Sequence, residues 1–213
     1  MNSKRPLRSR LGRRGYTAVE VMLAMTVLMI GSAGVMTMQK ASIQSNLDAR
    51  KLDIANSIAH DWLERLSADA TQWTLPAIPT NLTNNIGNTT WLQFYNTGWF
   101  LPAIPGGYPA AEGNSPAFDI LGRDLAAADA PNAVFCAHVR LDQIAQDALA
   151  LPLLLRATVI VFWKKQLVTS TATPGGNCTS ASNTFDPALD ESNNPGTWHI
   201  IYATTAIRKN APL

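Results

Sequence analysis

The sequence predicts an α+β protein in which one long N-terminal helix packs against a C-terminal antiparallel β-sheet. An apolar run begins at Tyr16 and passes into an amphipathic pattern that ends near Ala70, with no proline between them. Three later segments are rich in Val, Ile, Thr and aromatic residues, which favours strands; they are 133–141, 157–163 and 198–207. A sheet placed on the amphipathic part of the helix would bury the apolar faces of both.

Composition and charge limit the classes of protein to consider. The chain has 213 residues, of which 46% are hydrophobic and 15% charged, so it can form one domain plus an extension and is not of a disordered type. Residues 1–15 hold six basic side chains and no acidic one, whereas acidic residues outnumber basic ones in the rest. The net charge of +2 therefore reflects this basic N-terminal segment, and we expect no nucleic-acid partner.

Residues 16–38 are predicted to form a transmembrane helix. About 20 apolar residues span a bilayer core, and this run is long enough. The basic residues upstream favour a cytoplasmic N-terminus, which places everything after Lys40 outside the cytoplasm. A secretory signal peptide would have a shorter apolar region followed by a small residue at its cleavage site. Here the small residue, Gly15, precedes the apolar run.

Glu20 is the one acidic residue near the start of this apolar run. At the bilayer centre an acid would cost roughly 2.5–3.5 kcal/mol, but Glu20 lies four residues from Tyr16 and so near the interface. It is either an acid that reaches towards the headgroups or a carboxylate positioned to pair with a positive charge. The second interpretation is favoured, and the simplest partner is the amine created by cutting before Tyr16.

The segment Gly15-Tyr16-Thr17-Ala18-Val19-Glu20, followed by a continuous apolar helix, resembles the class III leader of type IV pilins and pseudopilins. The resemblance implies that prepilin peptidase removes residues 1–15 by cutting after Gly15 and methylates the new N-terminus at Tyr16. It implies that Glu20 attracts the N-terminal amine of a neighbouring subunit during assembly. Phe is the usual first mature residue, so Tyr16 is a departure that keeps an aromatic ring. The fold implied is the type IV pilin fold.

A further set of residues resembles the PilV-type minor pilins. The set is Ile30-Gly31-Ser32-Ala33-Gly34, Met38-Gln39, Asn46, Ala49, Ala55, Ala59 and Glu64-Arg65-Leu66. This resemblance covers about the first 70 residues, and the I-type pseudopilins of type II secretion share much of it. It implies a minor pilin that primes assembly of a bacterial type IV pilus or is incorporated into that fimbrium.

The partners implied are other minor pilins, the major pilin, prepilin peptidase and the inner-membrane assembly platform. The implied location is the bacterial inner membrane, as a single-pass protein with a periplasmic C-terminal domain, and then the pilus at the cell surface. Two alternatives stay open. One is an I-like type II secretion pseudopilin, and the other is a permanently anchored periplasmic protein in which the Gly-Tyr…Glu pattern is accidental.

Residues 39–70 are predicted to continue the helix as an amphipathic segment. Its apolar residues recur on one helical face, and they are Ile43, Leu47, Ile54, Ile58, Trp62 and Leu66. Asp61 and Arg65 stand four residues apart off that face. Within the membrane part, residues 31–34 contain two glycines. They indicate either close helix packing through small residues or a locally loosened helix of the kind pilins often show.

Residues 71–133 form a long region rich in Pro, Gly and Asn, in which neither helical nor strand periodicity is sustained. Residues 73–79 and 99–105 are near-repeats that share Leu-Pro-Ala-Ile-Pro. They are either extended segments that tuck Trp and Ile into the domain, which is favoured, or a pair of partner-binding segments. Residues 91–95 are predicted to form a short strand.

Residues 134–213 are predicted to form an antiparallel β domain with a helical turn at 142–150. If this domain lies outside the cytoplasm, Cys136 and Cys178 are expected to form a disulfide; the alternative is two buried thiols. The bond would close a loop of about forty residues and contribute about 4 kcal/mol on the chain-entropy view.

No nucleotide-binding, hydrolase or metalloprotease motif is present in the sequence, so we expect neither enzymatic activity nor a cofactor. The three histidines, His60, His138 and His199, are far apart in the sequence, and no metal site is expected. The acidic segment 186–193 either binds calcium or is a solvated loop, the latter being favoured because EF-hand spacing is absent.

Overall fold

The computed structural model describes residues 16–74, 85–102, 115–126, 128–148, 150–165, 178, 192–193 and 196–209. The chain divides into two compact units, Met1–Asp48 and Ala49–Leu213. One long helix, α1 (Ala18–Thr74), contributes to both units. The predicted α+β layout, a long N-terminal apolar helix and an antiparallel sheet, is confirmed.

Within the first unit, every described residue of the helix is exposed, including the large apolar ones. This part of α1 contains a segment that is long and apolar enough to cross a membrane, and it is the single candidate span in the described part of the chain. The predicted apolar run is therefore helical, and its described side chains are exposed.

Within the second unit, α1 buries one face. The buried residues follow helical spacing, and they are Ala55, Ile58, Ala59, Trp62, Leu66 and Trp73. The predicted stripe is thus confirmed at Ile58, Trp62 and Leu66, while Ile54 is half-buried. Ile43 and Leu47 are exposed, so the predicted stripe begins later than its periodicity indicated. The helix ends at Thr74, close to Pro76, which cannot continue a helix.

Five antiparallel strands form one sheet. They are β1 (Trp99–Phe100), β2 (Ala117–Phe118), β3 (Phe135–Gln146), β4 (Pro152–Lys164) and β5 (Trp198–Arg208). The order is β1-β3-β4-β5. β2 pairs with the same edge of β3 as β1 does, but nearer the start of β3. The three predicted strands are confirmed as β3, β4 and β5, and the first two are longer than predicted.

Two local predictions are wrong. The helical turn expected from residue 142 is instead the end of β3, because Asp142 and Gln143 pair with Arg156 and Leu155 of β4. The reversal is confined to the residues between the strands, where Ala150 adopts a positive φ of 61°. The strand expected at 91–95 is a short 3₁₀ helix, Leu92–Phe94.

The two faces of the sheet have different surroundings. The inner face packs with the helix through one large core cluster, in which Phe135, Val139, Val159 and Val161 lie with Trp62. The outer face carries a second, smaller cluster that includes Cys136, Phe162 and Trp198. The strand register alternates residues between these faces.

Candidate functional site

The N-terminus of α1 holds the residues on which the sequence analysis depends. Gly15 lies outside the described residues; Tyr16 is 82% exposed, and the helix begins two residues later. The Thr17 hydroxyl oxygen accepts a hydrogen bond from the Glu20 N–H at 3.3 Å, and the Thr17 carbonyl oxygen accepts from Glu20 and Val21 at 3.0 and 3.2 Å. Thr17 is therefore the N-cap of the helix.

This role of Thr17 was not predicted, although its spacing to Glu20 is the Thr-x-x-Glu pattern of a capping box. Glu20 lies in the first turn, where a carboxylate interacts favourably with the partial positive charge of the helix N-terminus. Among the described residues it forms no hydrogen bond or ion pair through its carboxylate, which is exposed. A carboxylate in this position can attract a nearby cation, such as an α-amine.

Three hydroxyl side chains in the apolar part of α1 form hydrogen bonds with their own helix. The hydroxyls of Thr26, Ser32 and Thr37 donate to backbone carbonyls one turn earlier, at 2.8, 2.9 and 2.8 Å. In an apolar environment an unpaired hydroxyl is unfavourable, and this local bonding removes that penalty. This part of the helix is therefore chemically suited to surroundings without water.

Cys136 on β3 and Cys178 lie at disulfide distance, with their Cα atoms 5.6 Å apart, and both are fully buried. The predicted pair is therefore brought together on the outer face of the sheet. The ring of Phe162 packs edge-on against Trp198 at 5.4 Å in the same cluster. The arrangement is structural, since the sulfurs are enclosed by apolar side chains.

A polar groove of about 470 Å³ lies beside the helix in the second unit, between α1 and the segment after β2. Arg65 bonds Asp124 across it at 3.4 Å and stacks over the Trp62 ring at 4.8 Å. Arg65 thus binds a residue 59 positions away along the chain. Gly122, with a φ of 78°, brings the segment against Ile54.

A second polar anchor joins the helix to the segment before β1. The buried carboxylate of Asp69 accepts backbone hydrogen bonds from Thr90, Trp91 and Leu92 at 2.7, 2.8 and 3.1 Å. It thereby caps the 3₁₀ helix Leu92–Phe94, whose own N-terminal N–H groups need acceptors. Sequence periodicity gave no signal for this contact.

The described residues contain no cluster of three or more His, Cys, Asp or Glu side chains that could hold a metal ion. His138 is buried against Phe162, His199 stacks on Trp163, and His60 is exposed. The strand register places His138 and His199 on opposite faces of the sheet. Most of the acidic segment 186–193, residues 75–79 of the first near-repeat and residues 103–105 of the second lie outside the described residues.

Comparisons of the chain with protein-family models, with curated proteins and with solved structures give no match.

Proposed function

We propose that the chain is a minor pilin that is cleaved after Gly15, methylated at Tyr16, and then primes or joins a bacterial type IV pilus. The observation that carries the proposal is the order of features at the N-terminus. A basic leader and a glycine precede a capped helix, whose first turn carries Glu20 and whose apolar side chains are exposed as far as residue 48.

The exposed apolar part of α1 supports this function because it needs two successive environments without water. Lipid surrounds it before cleavage, in a single-pass protein with its C-terminal domain in the periplasm. The helices of other minor pilins and of the major pilin surround it in the filament. Both environments bury the same side chains, so transfer from membrane to filament requires no refolding of the helix.

Glu20 supplies the polar part of the mechanism. An isolated carboxylate in an apolar filament core is unfavourable unless it is paired. The new α-amine of an adjacent subunit is a cation at the correct end of a parallel helix, so pairing fixes the axial register between subunits. The prepilin peptidase and the inner-membrane assembly platform are the partners that act before this step.

Cleavage is the decisive test. Coexpression with an active prepilin peptidase should shorten the protein by residues 1–15 and add one methyl group at Tyr16, as measured by intact mass. Gly15→Ala should slow or block the cut, whereas Gly12→Ala, the same change within the leader, should not. A full-length product with the active peptidase would contradict the proposal and favour a permanently anchored periplasmic protein.

Assembly is tested separately through Glu20. Glu20→Gln should be cleaved normally but recovered in sheared pili at a much lower level, because the neutral amide cannot pair with an amine. Glu64→Gln, the same change at an exposed position of the second unit, should be recovered normally. Normal recovery of Glu20→Gln would contradict the assembly role while leaving cleavage intact.

The I-like type II secretion pseudopilin remains the second candidate, because it shares much of the pattern of residues 30–66. Deletion of the gene separates the two. Loss of pili with normal secretion supports the minor pilin, and loss of secretion with normal pili supports the pseudopilin.

A further inference from the structure

The outer face of the sheet has two halves with opposite character. In the closed half, Cys136, His138, Ile160 and Phe162 are fully buried. The other half begins at the pair Arg140–Thr158 on β3 and β4 and, on β5, at Tyr202, which pairs with Ile160; it is largely exposed. We call it the open half, and its outward-facing residues are Trp99, Arg140, Asp142, Leu154, Arg156, Thr158, Tyr202, Thr204, Ala206 and Arg208.

Two aromatic rings lie across the open half. Trp99 belongs to β1 and Tyr202 to β5, which are at opposite ends of the strand order. Their ring centroids are nevertheless 6.3 Å apart, so both side chains reach over β3 and β4. Tyr202 keeps 54% of its surface exposed. The rings therefore present a broad, partly apolar platform to the outside of the domain.

Arginines flank this platform. Arg140 Nε donates to one Asp142 oxygen at 2.9 Å, and Arg156 Nη2 donates to the other at 3.1 Å. Both arginine side chains are about half exposed, at 45% and 53%. Each guanidinium carries five N–H donors, so most of them are available to an acceptor outside the domain. Asp142 thus holds two guanidinium groups side by side without using up their donors.

The charge of the open half is unbalanced. Arg208 adds a third guanidinium at an outward-facing position of β5. Asp142 is the single carboxylate that the described strands place on this half. Its negative charge is shared between Arg140 and Arg156, so the surface keeps a net positive charge. Complementarity therefore favours a partner that brings carboxylates.

The residue types indicate what class of partner fits. Trp, Tyr and Arg are the side chains most enriched at the energetic centres of protein–protein interfaces. Arginine also binds carboxylates through two parallel hydrogen bonds, which a flat surface can present to a peptide. Saccharides and single-stranded nucleic acids also use aromatic platforms, but three arginines are a small footprint for a nucleic acid.

We propose that the open half is a docking surface for an acidic segment of a partner protein. Carboxylates of that segment pair with Arg140 and Arg156, and an apolar or aromatic side chain packs on Trp99 and Tyr202. The surface belongs entirely to the second unit, and the proposal does not require that the chain be processed as a pilin.

The test uses the full-length protein in detergent micelles and a fluorescein-labelled peptide of alternating Glu and Gly with one central Trp. Fluorescence anisotropy should show saturable binding, and the same peptide with Gln in place of Glu should bind at least about tenfold more weakly. Arg140→Gln combined with Arg156→Gln should weaken binding of the Glu peptide by about tenfold or more, as expected when a central charged contact is removed.

The matched control is Arg50→Gln combined with Lys51→Gln, which changes the net charge equally on the helix and should leave binding unchanged. A second measurement needs no variant of the arginines. In the unmodified protein, the Trp99 indole N–H resonance, assigned with Trp99→Phe, should shift on addition of the Glu peptide.

A shift of the Trp99 indole resonance, together with weaker binding of the Glu peptide by the Arg140/Arg156 variant but not by the control variant, supports the proposal. Absence of saturable binding with an unmoved Trp99 resonance would overturn it. Equal weakening by the control pair would overturn it as well, because binding would then follow net charge and not this surface. Tighter binding of an oligo(dT) or of a neutral oligosaccharide at Trp99 would assign the surface to that class of ligand instead.

Discussion

Residues 18–48 and 49–74 belong to one helix, yet their apolar side chains have opposite surroundings. Leu28 in the first part is 72% exposed, whereas Leu66 in the second part is fully buried. The second part buries one stripe against the sheet, as an ordinary amphipathic helix does. In the first part, residues 18–38 are apolar on all sides apart from Glu20 and a few Thr and Ser residues, whereas residues 39–48 are more polar, and all of them are exposed.

This difference separates what the chain stabilises by itself from what it leaves to its surroundings. The second part draws its stability from burial against β-strands and from the anchors at Arg65 and Asp69. In the first part, three hydroxyls bond to the helix backbone and Thr17 caps the N-terminus, whereas the apolar side chains are not buried. If the proposed function is correct, a membrane or a bundle of similar helices buries these apolar side chains.

The largest effect is expected when the same Leu→Ala substitution is made in each part and the two variants are compared. Leu66→Ala should lower the free energy of unfolding of the domain by about 2–5 kcal/mol, because it leaves a cavity in the core. Leu28→Ala should leave that free energy unchanged. Urea unfolding in micelles, followed by near-UV circular dichroism, reports on the domain because all six tryptophans lie beyond residue 48. Equal losses in the two variants would contradict the distinction.

The second effect concerns polar anchoring. Asp69→Ala should lower the free energy of unfolding by about 3 kcal/mol, because three backbone N–H groups lose a charged acceptor and two of the bonds are buried. Asp48→Ala, the same change in the exposed part of the helix, should have little effect. The same urea experiment measures both, and an unchanged midpoint for Asp69→Ala would show that water or another group replaces the carboxylate.

The elements that could be predicted from the sequence are those specified by local pattern. The apolar run, the stripe at Ile58, Trp62 and Leu66, and the three long strands follow from hydrophobic periodicity and β-branched composition. The end of β3 was predicted as a helical turn because residues 142–150 have no strand pattern of their own. Pairing with β4 decides that segment, and local propensity does not.

The contacts that could not be predicted are those between distant residues. Asp69 binds N–H groups 21 to 23 positions away, and Arg65 binds Asp124 across 59 positions. The backbone N–H donors that Asp69 binds leave no mark in composition or spacing. The short strand β1 was missed for a similar reason, since two residues carry no periodicity. At the candidate site, the leader and the role of Glu20 are predictions from local sequence. The Thr-x-x-Glu spacing also indicates the Thr17 cap, although the cap was not predicted.

A third comparison uses two glycines. A Cβ at Gly122 would lie 2.9 Å from Ile54 Cγ2, and its φ of 78° is unfavourable for other residues. Gly122→Ala should therefore lower the free energy of unfolding by about 1–3 kcal/mol. A Cβ at Gly34 meets no atom within 4 Å, and Gly34→Ala should leave the domain unchanged in the same assay. A stable Gly122→Ala would show that the segment can move away from the helix without loss.

The smallest expected effect is a dependence of the free energy of unfolding on pH below neutrality. It tests how the segment around Gly122 is held against the second part of the helix. Partial burial alone would raise the pKa of Asp119, but the backbone and side-chain hydrogen bonds from Arg123 and the N–H of Leu121 outweigh it and hold that pKa below its ordinary value. A lowered folded-state pKa means that the ionised carboxylate stabilises the fold above the unfolded pKa of about 3.9. This contribution is lost as the pH falls through the folded pKa.

Asp119→Asn should therefore be less stable than the unmodified protein at pH 6 and should lose less stability between pH 4 and pH 2. Arg123→Gln should also flatten the profile, because it removes the side-chain bond to the carboxylate at 2.8 Å while leaving both backbone donors. Urea midpoints measured across this range give the slopes. Parallel profiles for all three proteins would mean that Asp119 does not hold the segment. Gly122 would then be kept against Ile54 by packing and by the bond between Arg65 and Asp124, without a contribution from Asp119.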